Sequence, residues 1–361
     1  MIFKKIYDFF SSSKLAMFLL VSILACCVIG VTVIRGEKAW ELIFSTLWFN
    51  CLLVLLVLNV AFCFFGRVWG RKVTLISFGM ILFHLSFVFM LLGIIYNSLF
   101  YFRGNIRLTE GETLPSGQPQ SYDLIYQGNL FDFSKLKGDT MLIKMHSGYK
   151  VDGIDKRAAY EIAVGEGINK KQGIIYITHN LEHRGFTYFN DKEGYSILVI
   201  LYDKNGKELY GAHIPLQSLK QKDESYFYTT GTKEGPAAFS FPLDMGKPLF
   251  DLQIIYKPSK LEDRKGNVAF KLWPLKMADA KLNDKPIAEG EVLIGEKILM
   301  GEYYLFAKEV RYWVGMNVRY EPGNPIVLAS LWVGLAGIVI TFIGRLIRRS
   351  GDFAVDGGLK N

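Results

Sequence analysis

Residues 75–100 read LISFGMILFHLSFVFMLLGIIYNSLF and decide the fold of this chain. The stretch contains no Asp, Glu, Lys or Arg, and it exceeds the roughly 20 apolar residues that a helix needs to cross a bilayer. Three more uncharged apolar stretches of spanning length lie at 15–34, 47–66 and 325–344. The sequence therefore predicts a membrane protein with four transmembrane α-helices, three before a long polar region and one after it.

The polar region is predicted to be a large β-rich extracytoplasmic domain. Its apolar residues occur in short runs rich in β-branched and aromatic side chains, separated by Gly, Pro, Asn or Asp. Residues 195–202, YSILVILY, are one such run, and Asn205-Gly206 after them is a strong hairpin signal. We expect about 12 to 15 strands in a sandwich or a pair of sheets. The chain thus divides into an N-terminal membrane region, the β-rich domain, and the fourth helix with a cytoplasmic tail, at 1–100, 101–323 and 324–361.

One helix is predicted inside the β-rich domain, around 169–184, although Gly173 and the β-branched residues after it disfavour helix. A helix would place His179 and His183 on one face, four residues apart. A zinc site needs a third or fourth ligand, which Glu182 alone does not complete. We expect two exposed histidines, and no catalytic centre in this domain, because no hydrolase or nucleotide-binding motif occurs.

The four cysteines lie within or at the ends of the apolar stretches, and the β-rich domain has none. That domain can therefore form no internal disulfide, and it carries no CxxCH motif for covalent haem attachment. Inside the membrane, the cysteines are expected to act as small apolar residues. The residues are Cys26, Cys27, Cys51 and Cys63.

The distribution of charge predicts the orientation of the chain. The two termini and the 67–73 loop carry ten basic and three acidic residues, a net +7 of the total +8, whereas 101–323 carries a net +1. The positive-inside rule places both termini and the loop in the cytoplasm of a bacterial inner membrane, and the β-rich domain in the periplasm. Because the basic excess is juxtamembrane, it indicates contact with the lipid bilayer and no nucleic-acid partner.

Glycines recur on one face of the fourth apolar stretch. Gly334, Gly337 and Gly344 are separated by three and seven residues, so another helix could pack closely against them. The alternative is that glycine is simply common in spanning helices.

His84 is the only residue in the four stretches that titrates near neutral pH. An ionisable side chain at membrane depth is costly, so it indicates a functional site by default. Three interpretations stay open: an axial haem ligand, a quinone or proton-relay site, or a polar side chain bonded to a neighbour such as Ser86 or Asn59. One histidine supplies one axial ligand, so a haem site would need a second ligand from a partner.

Several segments, in the same order, resemble the ResB-like family of cytochrome c biogenesis proteins of the system II type. The resemblance covers almost the whole chain. The segments are SSSKLAMFLLVSILACCVIGV (11–31), FSTLWFNCLLVLLVLNVAFC (44–63), FHLSFVFMLLG (83–93), RGNIRLTEGE (103–112) and YEPGNPIVLASLWVGLAGIVITF (320–342).

The resemblance implies a subunit of a system II cytochrome c synthase, or haem lyase, complex, with no catalytic centre of its own. Such a subunit helps to carry haem across the membrane and attach it to CxxCH motifs of apocytochromes c. The implied partners are a multi-span membrane protein with a Trp-rich haem-binding segment and apocytochrome c. The alternative function is a haem- or quinone-linked electron-transfer subunit of the membrane.

The resemblance also implies a role for His84. The residue matches a third-span histidine that serves as an axial ligand to the iron of haem b, opposite a histidine of the partner. Phe83, Phe87 and Leu91 lie near His84 on the helix, so we expect them to help form an apolar slot for the porphyrin.

Overall fold

Four long helices form the membrane region of the protein. The computed structural model describes residues 7–65, 74–220, 226–232, 235–243, 246–259, 262, 264–275 and 285–357. Within these residues, four helical segments are long and apolar enough to cross a membrane: Ser13–Ile34, Leu47–Phe64, Leu75–Phe100 and Asn324–Arg348. The predicted arrangement of three spanning helices before the β-rich region and one after it is confirmed.

The helices differ in regularity. Helices α1 (Ser13–Ile29) and α2 (Leu47–Val60) each end in a π-helical turn, and a short helix followed by another such turn connects them. The elements are α1 (Ser13–Ile29, then Gly30–Ile34), the connection (Gly36–Ala39, then Trp40–Phe44), α2 (Leu47–Val60, then Ala61–Phe65), α3 (Leu75–Phe100) and α4 (Asn324–Gly357). Residues 1–6, 66–73 and 358–361, whose charges enter the predicted orientation, lie outside the described part of the chain.

The region between α3 and α4 contains 21 strands among the described residues. They are β1 (Phe102–Thr109), β2 (Thr113–Pro115), β3 (Tyr122–Gln127), β4 (Asp139–Ser147), β5 (Lys150–Val151), β6 (Ile154–Asp155), β7 (Ala158–Gly165), β8 (Lys171–Ile175), β9 (Leu181–His183), β10 (Phe186–Tyr202), β11 (Glu208–Pro215), β12 (Gln217–Lys220), β13 (Tyr226–Thr229), β14 (Gly231–Thr232), β15 (Gly235–Pro236), β16 (Phe239–Phe241), β17 (Phe250–Pro258), β18 (Gly266–Trp273), β19 (Ala288–Leu293), β20 (Lys297–Met300) and β21 (Tyr303–Tyr320). Short 3-10 turns lie at Pro119–Ser121, Phe133–Lys135 and Gly167–Asn169.

The described strands form three larger antiparallel sheets and two small ribbons. A seven-stranded sheet has the order β11-β10-β21-β1-β3, with β20 beside β21 and β9 beside β10. A six-stranded sheet has the order β12-β13-β17-β18-β19, with β16 beside β17, and a four-stranded sheet has the order β2-β4-β7-β8. The long strands β10 and β21 run antiparallel from Phe186–Tyr320 to Tyr202–Tyr304.

Two hydrophobic cores lie along this pair of long strands. The helix-side core holds Phe102, Leu142, Ile162 and Val318, and it packs the seven-stranded sheet against the four-stranded one. The outer core packs the same sheet against the six-stranded one, and it includes Ile197, Leu201, Ile254, Phe270 and Leu305. Both cores lie between facing sheets, so the predicted β-rich layered architecture is confirmed.

Two details of the prediction are wrong. No helix forms around 169–184, because Lys171–Ile175 joins β7 as a strand and Leu181–His183 joins β10. Gly173 disfavours a helix, and the β-branched residues after it favour the extended backbone. The strand number is also higher than expected, because many strands contain only two to four residues.

Candidate functional site

Glycines bring α4 into close contact with α3, the helix that carries His84. A Cβ added to Gly337 would lie 2.7 Å from the Gly79 carbonyl oxygen, and one added to Gly334 would lie 2.6 Å from Ser86 Oγ. A Cβ on Gly344 would lie 2.9 Å from the Ile76 side chain. The glycine face that the sequence predicts is therefore confirmed, and the helix packed against it belongs to the same chain.

The start of α3 is fixed by a capping box. Thr74 Oγ1 accepts a hydrogen bond from the Ser77 backbone N–H at 3.2 Å, and Ser77 Oγ accepts one from the Thr74 backbone N–H at 2.7 Å. These bonds satisfy donors that the first turn of a helix would otherwise leave unpaired. His84 therefore stands on a well-defined helix in its third turn.

His84 uses one ring nitrogen inside its own helix. Its Nδ1 lies 2.8 Å from the Met80 carbonyl oxygen. Because a carbonyl only accepts, Nδ1 donates this bond, and in the neutral ring Nε2 is then unprotonated. The Phe64 ring of α2 stacks on the imidazole, with ring centroids 3.9 Å apart and an interplanar angle of 6°. The Phe83 ring meets it edge-on at 5.5 Å. The imidazole is thus held in one orientation and keeps a nitrogen lone pair.

His84 lines a groove between α3 and α4. The groove has a volume of about 340 Å³, and most of its walls are apolar. Its lining residues are Met80, Phe83, His84, Ile338, Thr341, Phe342 and Arg345. Both walls are spanning helices, so the groove opens on the surface that faces lipid.

The three residues predicted to flank the porphyrin lie in two places. Phe83 lines the groove beside His84. Leu91 is only 4% exposed in a hydrophobic cluster that also contains residues of α1 and α2, and Phe87 packs against the same cluster. Of the three, the structure therefore brings Phe83 alone to the groove, and the slot as a whole remains a prediction.

The suggested polar partners of His84 bond elsewhere. Ser86 Oγ donates to the Phe83 carbonyl oxygen at 2.8 Å. Asn59 Nδ2 donates to the carbonyl oxygens of Phe10 and Ser12, at 2.7 and 3.1 Å. Neither side chain forms a hydrogen bond with His84, so neither supports the interpretation that His84 is a polar link between two helices.

The histidines of the β-rich domain are separate from this groove. His179 is exposed in a turn closed by hydrogen bonds with Tyr176, whereas His183 is half-buried, which corrects the expectation that both are exposed. Burial lowers the pKa of His183, with Arg184 and Lys171 adding to the effect. Within the described ranges, no group of three or more His, Cys, Asp or Glu side chains could hold a metal ion.

A polar junction joins the β-rich domain to the helices. Arg103, at the start of β1, forms an ion pair with Glu321 at 2.7 Å, and its guanidinium lies 4.6 Å from the Trp40 ring centroid. Glu321 also accepts a hydrogen bond from Asn324 Nδ2 at 2.7 Å. The junction therefore links the α1–α2 connection, β1 and the first turn of α4.

Two residues near His84 or in its groove are absent from the expectations drawn from sequence: Phe64, which stacks on His84, and Arg345, which lines the groove. No local pattern distinguishes Phe64 from the many other phenylalanines, and the sequence identifies Arg345 only as one of the charges that set orientation. The one available signal for Arg345 is its place as the first basic residue after the fourth apolar stretch.

Four spanning helices, a β-rich domain between the third and fourth, and an imidazole in a lipid-facing groove define the chain as a multi-pass membrane protein with a candidate ligand site. Residues 68–135 match the model of the ResB-like family. This segment includes α3 with His84, together with β1, β2 and β3. The resemblance to that family is thereby confirmed.

The chain is also similar to a curated relative, the cytochrome c biogenesis protein CcsB of Picosynechococcus sp. (strain ATCC 27264 / PCC 7002 / PR-6). The two are 19% identical over 279 residues, which cover 77% of this chain and 53% of the relative. The chain thus spans about half the length of the relative that it matches.

Proposed function

We propose that the chain is a subunit of a system II cytochrome c synthase complex, which carries haem across the membrane and attaches it to CxxCH motifs of apocytochromes c. The name of the relative and the family match support a role in cytochrome c biogenesis. The observation that carries the haem assignment is His84, held by Met80 and Phe64 in a groove with apolar walls.

The groove residues fit haem b as cargo. Haem iron takes imidazole nitrogen as an axial ligand, and the bond from Nδ1 to Met80 leaves Nε2 as the available nitrogen. Phe83, Ile338 and Phe342 supply apolar surface of the kind that a porphyrin ring contacts. The role of His84 in this proposal is to bind the iron in a fixed orientation away from water.

The second axial ligand and the other wall of the site come from a partner. The groove opens toward lipid, and the chain offers one histidine to it. We assign the missing wall to a multi-span membrane protein with a Trp-rich haem-binding segment and a histidine that faces His84. In this proposal the β-rich domain holds that partner and receives apocytochrome c. Its surface area and shape matter more for this role than any single residue.

The proposed location is the bacterial inner membrane, with both termini in the cytoplasm and the β-rich domain in the periplasm. The excess of basic residues at the termini and in 67–73 supports this orientation. Haem made in the cytoplasm would then enter the groove from the side on which α3 begins.

Replacement of His84 by Ala tests the proposal. The full chain is purified with its co-expressed partner, and the haem absorption spectrum is recorded together with haem staining of c-type cytochromes. We expect His84→Ala to lower both signals several-fold while membrane insertion is unchanged. Added imidazole should restore part of each signal, because it can fill the vacant axial position. Leu85→Ala, at the neighbouring position, is the matched control and should keep the wild-type spectrum.

Full haem content and normal cytochrome c maturation in His84→Ala would overturn the haem assignment. A strain that lacks this protein distinguishes the proposed function from the alternative, an electron-transfer subunit. Loss of respiratory activity with normally haem-stained c-type cytochromes would instead favour an electron-transfer subunit.

A further inference from the structure

Arg345 lies in the same groove as His84, close to the end of the spanning segment Asn324–Arg348 that is farthest from the β-rich domain. The close contacts of Gly337 with Gly79 and of Gly344 with Ile76 fix the antiparallel register of the two helices. In that register Arg345 lies level with the start of α3. It is displaced from His84 by about nine residues, or about 14 Å at 1.5 Å per residue.

The guanidinium of Arg345 has no acidic partner within the described residues. Every ion pair that the structure gives there joins residues of the β-rich domain, including the junction pair of Arg103 and Glu321. The groove therefore combines an imidazole, apolar walls and an unneutralised cation at one end.

We propose that Arg345 binds the propionate carboxylates of the porphyrin whose iron His84 binds, an inference that rests on the proposed function. A haem is a flat apolar ring around an iron atom, with two carboxylates on one edge. The iron would meet the imidazole, the ring would meet the apolar walls, and the carboxylates would meet the guanidinium of Arg345. Arginine suits this role because its planar guanidinium can donate two parallel hydrogen bonds to one carboxylate. The carboxylate edge then points toward the membrane surface from which α3 begins, and the orientation of the ring is set by the protein.

Arg345 could also serve only as an interfacial charge at the end of a spanning helix. Arg348 provides the comparison within the same helix. It is one turn further along α4 and exposed, and it does not line the groove. An interfacial role would be shared by both arginines, whereas a carboxylate contact belongs to Arg345.

The test measures binding of iron protoporphyrin IX and of its dimethyl ester to the full chain with its partner. The ester keeps the ring and the iron but removes the two negative charges. We expect Arg345→Gln to weaken binding of the free acid by about tenfold, the scale of one charge-assisted hydrogen bond, and to leave binding of the ester unchanged. Arg345→Lys should retain part of the affinity, and Arg348→Gln should match the wild type for both ligands.

The outcomes separate the two proposals. If His84→Ala weakens binding of the free acid and Arg345→Gln does not, the assignment of Arg345 is wrong and the haem site stands. If Arg345→Gln weakens the acid and the ester equally, or Arg348→Gln has the same effect, the arginine acts on helix placement or on lipid headgroups, and the assignment is again wrong. If neither His84→Ala nor Arg345→Gln changes binding, the proposed haem site fails as well.

Discussion

The α3–α4 pair and the β-rich domain satisfy their polar side chains in opposite ways. In the helix pair, most described hydroxyls bond within their own helix: Thr341 donates to the Gly337 carbonyl oxygen and Ser330 to that of Ile326. Ser98 of α3 differs, because it donates to the Phe44 carbonyl oxygen of the α1–α2 connection. In the β-rich domain, buried polar groups bond between elements. Trp313 Nε1 donates to the Leu216 carbonyl oxygen at 2.9 Å, and Ser116 and Thr140 share a hydrogen bond of 2.7 Å.

The difference shows what holds each region together. The helix pair depends on the close fit of small residues, because the hydrogen bonds of the described hydroxyls on α3 and α4 do not cross their interface. Asn97 is an exception, since its Oδ1 accepts a bond from the Gly323 backbone N–H at 3.3 Å, where the two helices meet the β-rich domain. The β-rich domain depends on continuous cores with cross-strand hydrogen bonds. His84 Nε2, the nitrogen that the bond to Met80 leaves available, lies in the helix pair.

The largest expected effect lies in the helix-side core of the β-rich domain. Phe102 is 0% exposed, and its ring contacts Tyr122, Phe131 and Phe133 at centroid distances of 4.7 to 5.5 Å. Phe102→Ala should lower the free energy of unfolding by about 3–5 kcal/mol, because it removes buried area and leaves a cavity. Thermal loss of the β signal in far-UV circular dichroism measures this. Leu124→Ala, at a 58% exposed position on β3, should unfold as the wild type does.

Gly337→Leu tests the helix pair. The added side chain would meet the Gly79 carbonyl oxygen and the backbone of Phe83, so the helices must separate. We expect a cost of about 1–3 kcal/mol, seen as a lower melting temperature of the helical signal and as reduced haem retention. The β signal should melt as before. Ala336→Leu, at the adjacent exposed position, should change neither quantity, and identical melting of the two variants would contradict the role of the glycine face.

The smallest effect is the pH dependence of the β-rich domain. Burial lowers the pKa of His213, helped by Arg311 and opposed by Glu309, whose carboxylate lies 3.6 Å from His213 Nε2. A lowered pKa means that the unfolded chain binds the proton more readily than the folded chain. The stabilisation is therefore fully present above about pH 6.5 and is lost as pH falls through the lower folded pKa.

In His213→Asn, the melting temperature of the β signal should change less between about pH 7.5 and about pH 5 than it does in the wild type. These two pH values lie roughly on either side of an ordinary histidine pKa. The helical signal should not respond. His179→Asn, at an exposed histidine, is the control. An unchanged pH profile in the His213 variant would show that another group sets the dependence.

Local patterns predicted the parts of the fold that depend on neighbouring residues. The spans follow from length and charge, and the hairpin at Asn205-Gly206 forms as expected, with Gly206 at a φ of +80° and Asp203 N–H bonded to the Lys207 carbonyl oxygen. The helix expected around 169–184 failed because the competing partners of that segment are β7 and β10, and such pairing is not visible in local spacing.

The candidate site likewise contains one residue that local sequence identifies and others that only the packing of the helices identifies. His84 could be found from sequence because an ionisable residue at membrane depth is rare. Phe64 and Arg345 could not be assigned to it, because the stacking of Phe64 on His84 and the place of Arg345 in the groove depend on how α2 and α4 cross α3. That crossing is set partly by Gly337 and Gly334, whose tight contacts appear only when both helices are in place.

The strand β21 is a long, stiff connection between α4 and the far end of the β-rich domain. It runs for 18 residues, Tyr303–Tyr320, and only Glu321–Gly323 separate it from α4. At about 3.3 Å per residue it extends for about 60 Å, and β10 stiffens it along most of that length. A tilt of a few degrees where α4 leaves the membrane would therefore displace the far hairpin, around Asp203–Lys207, by several ångström.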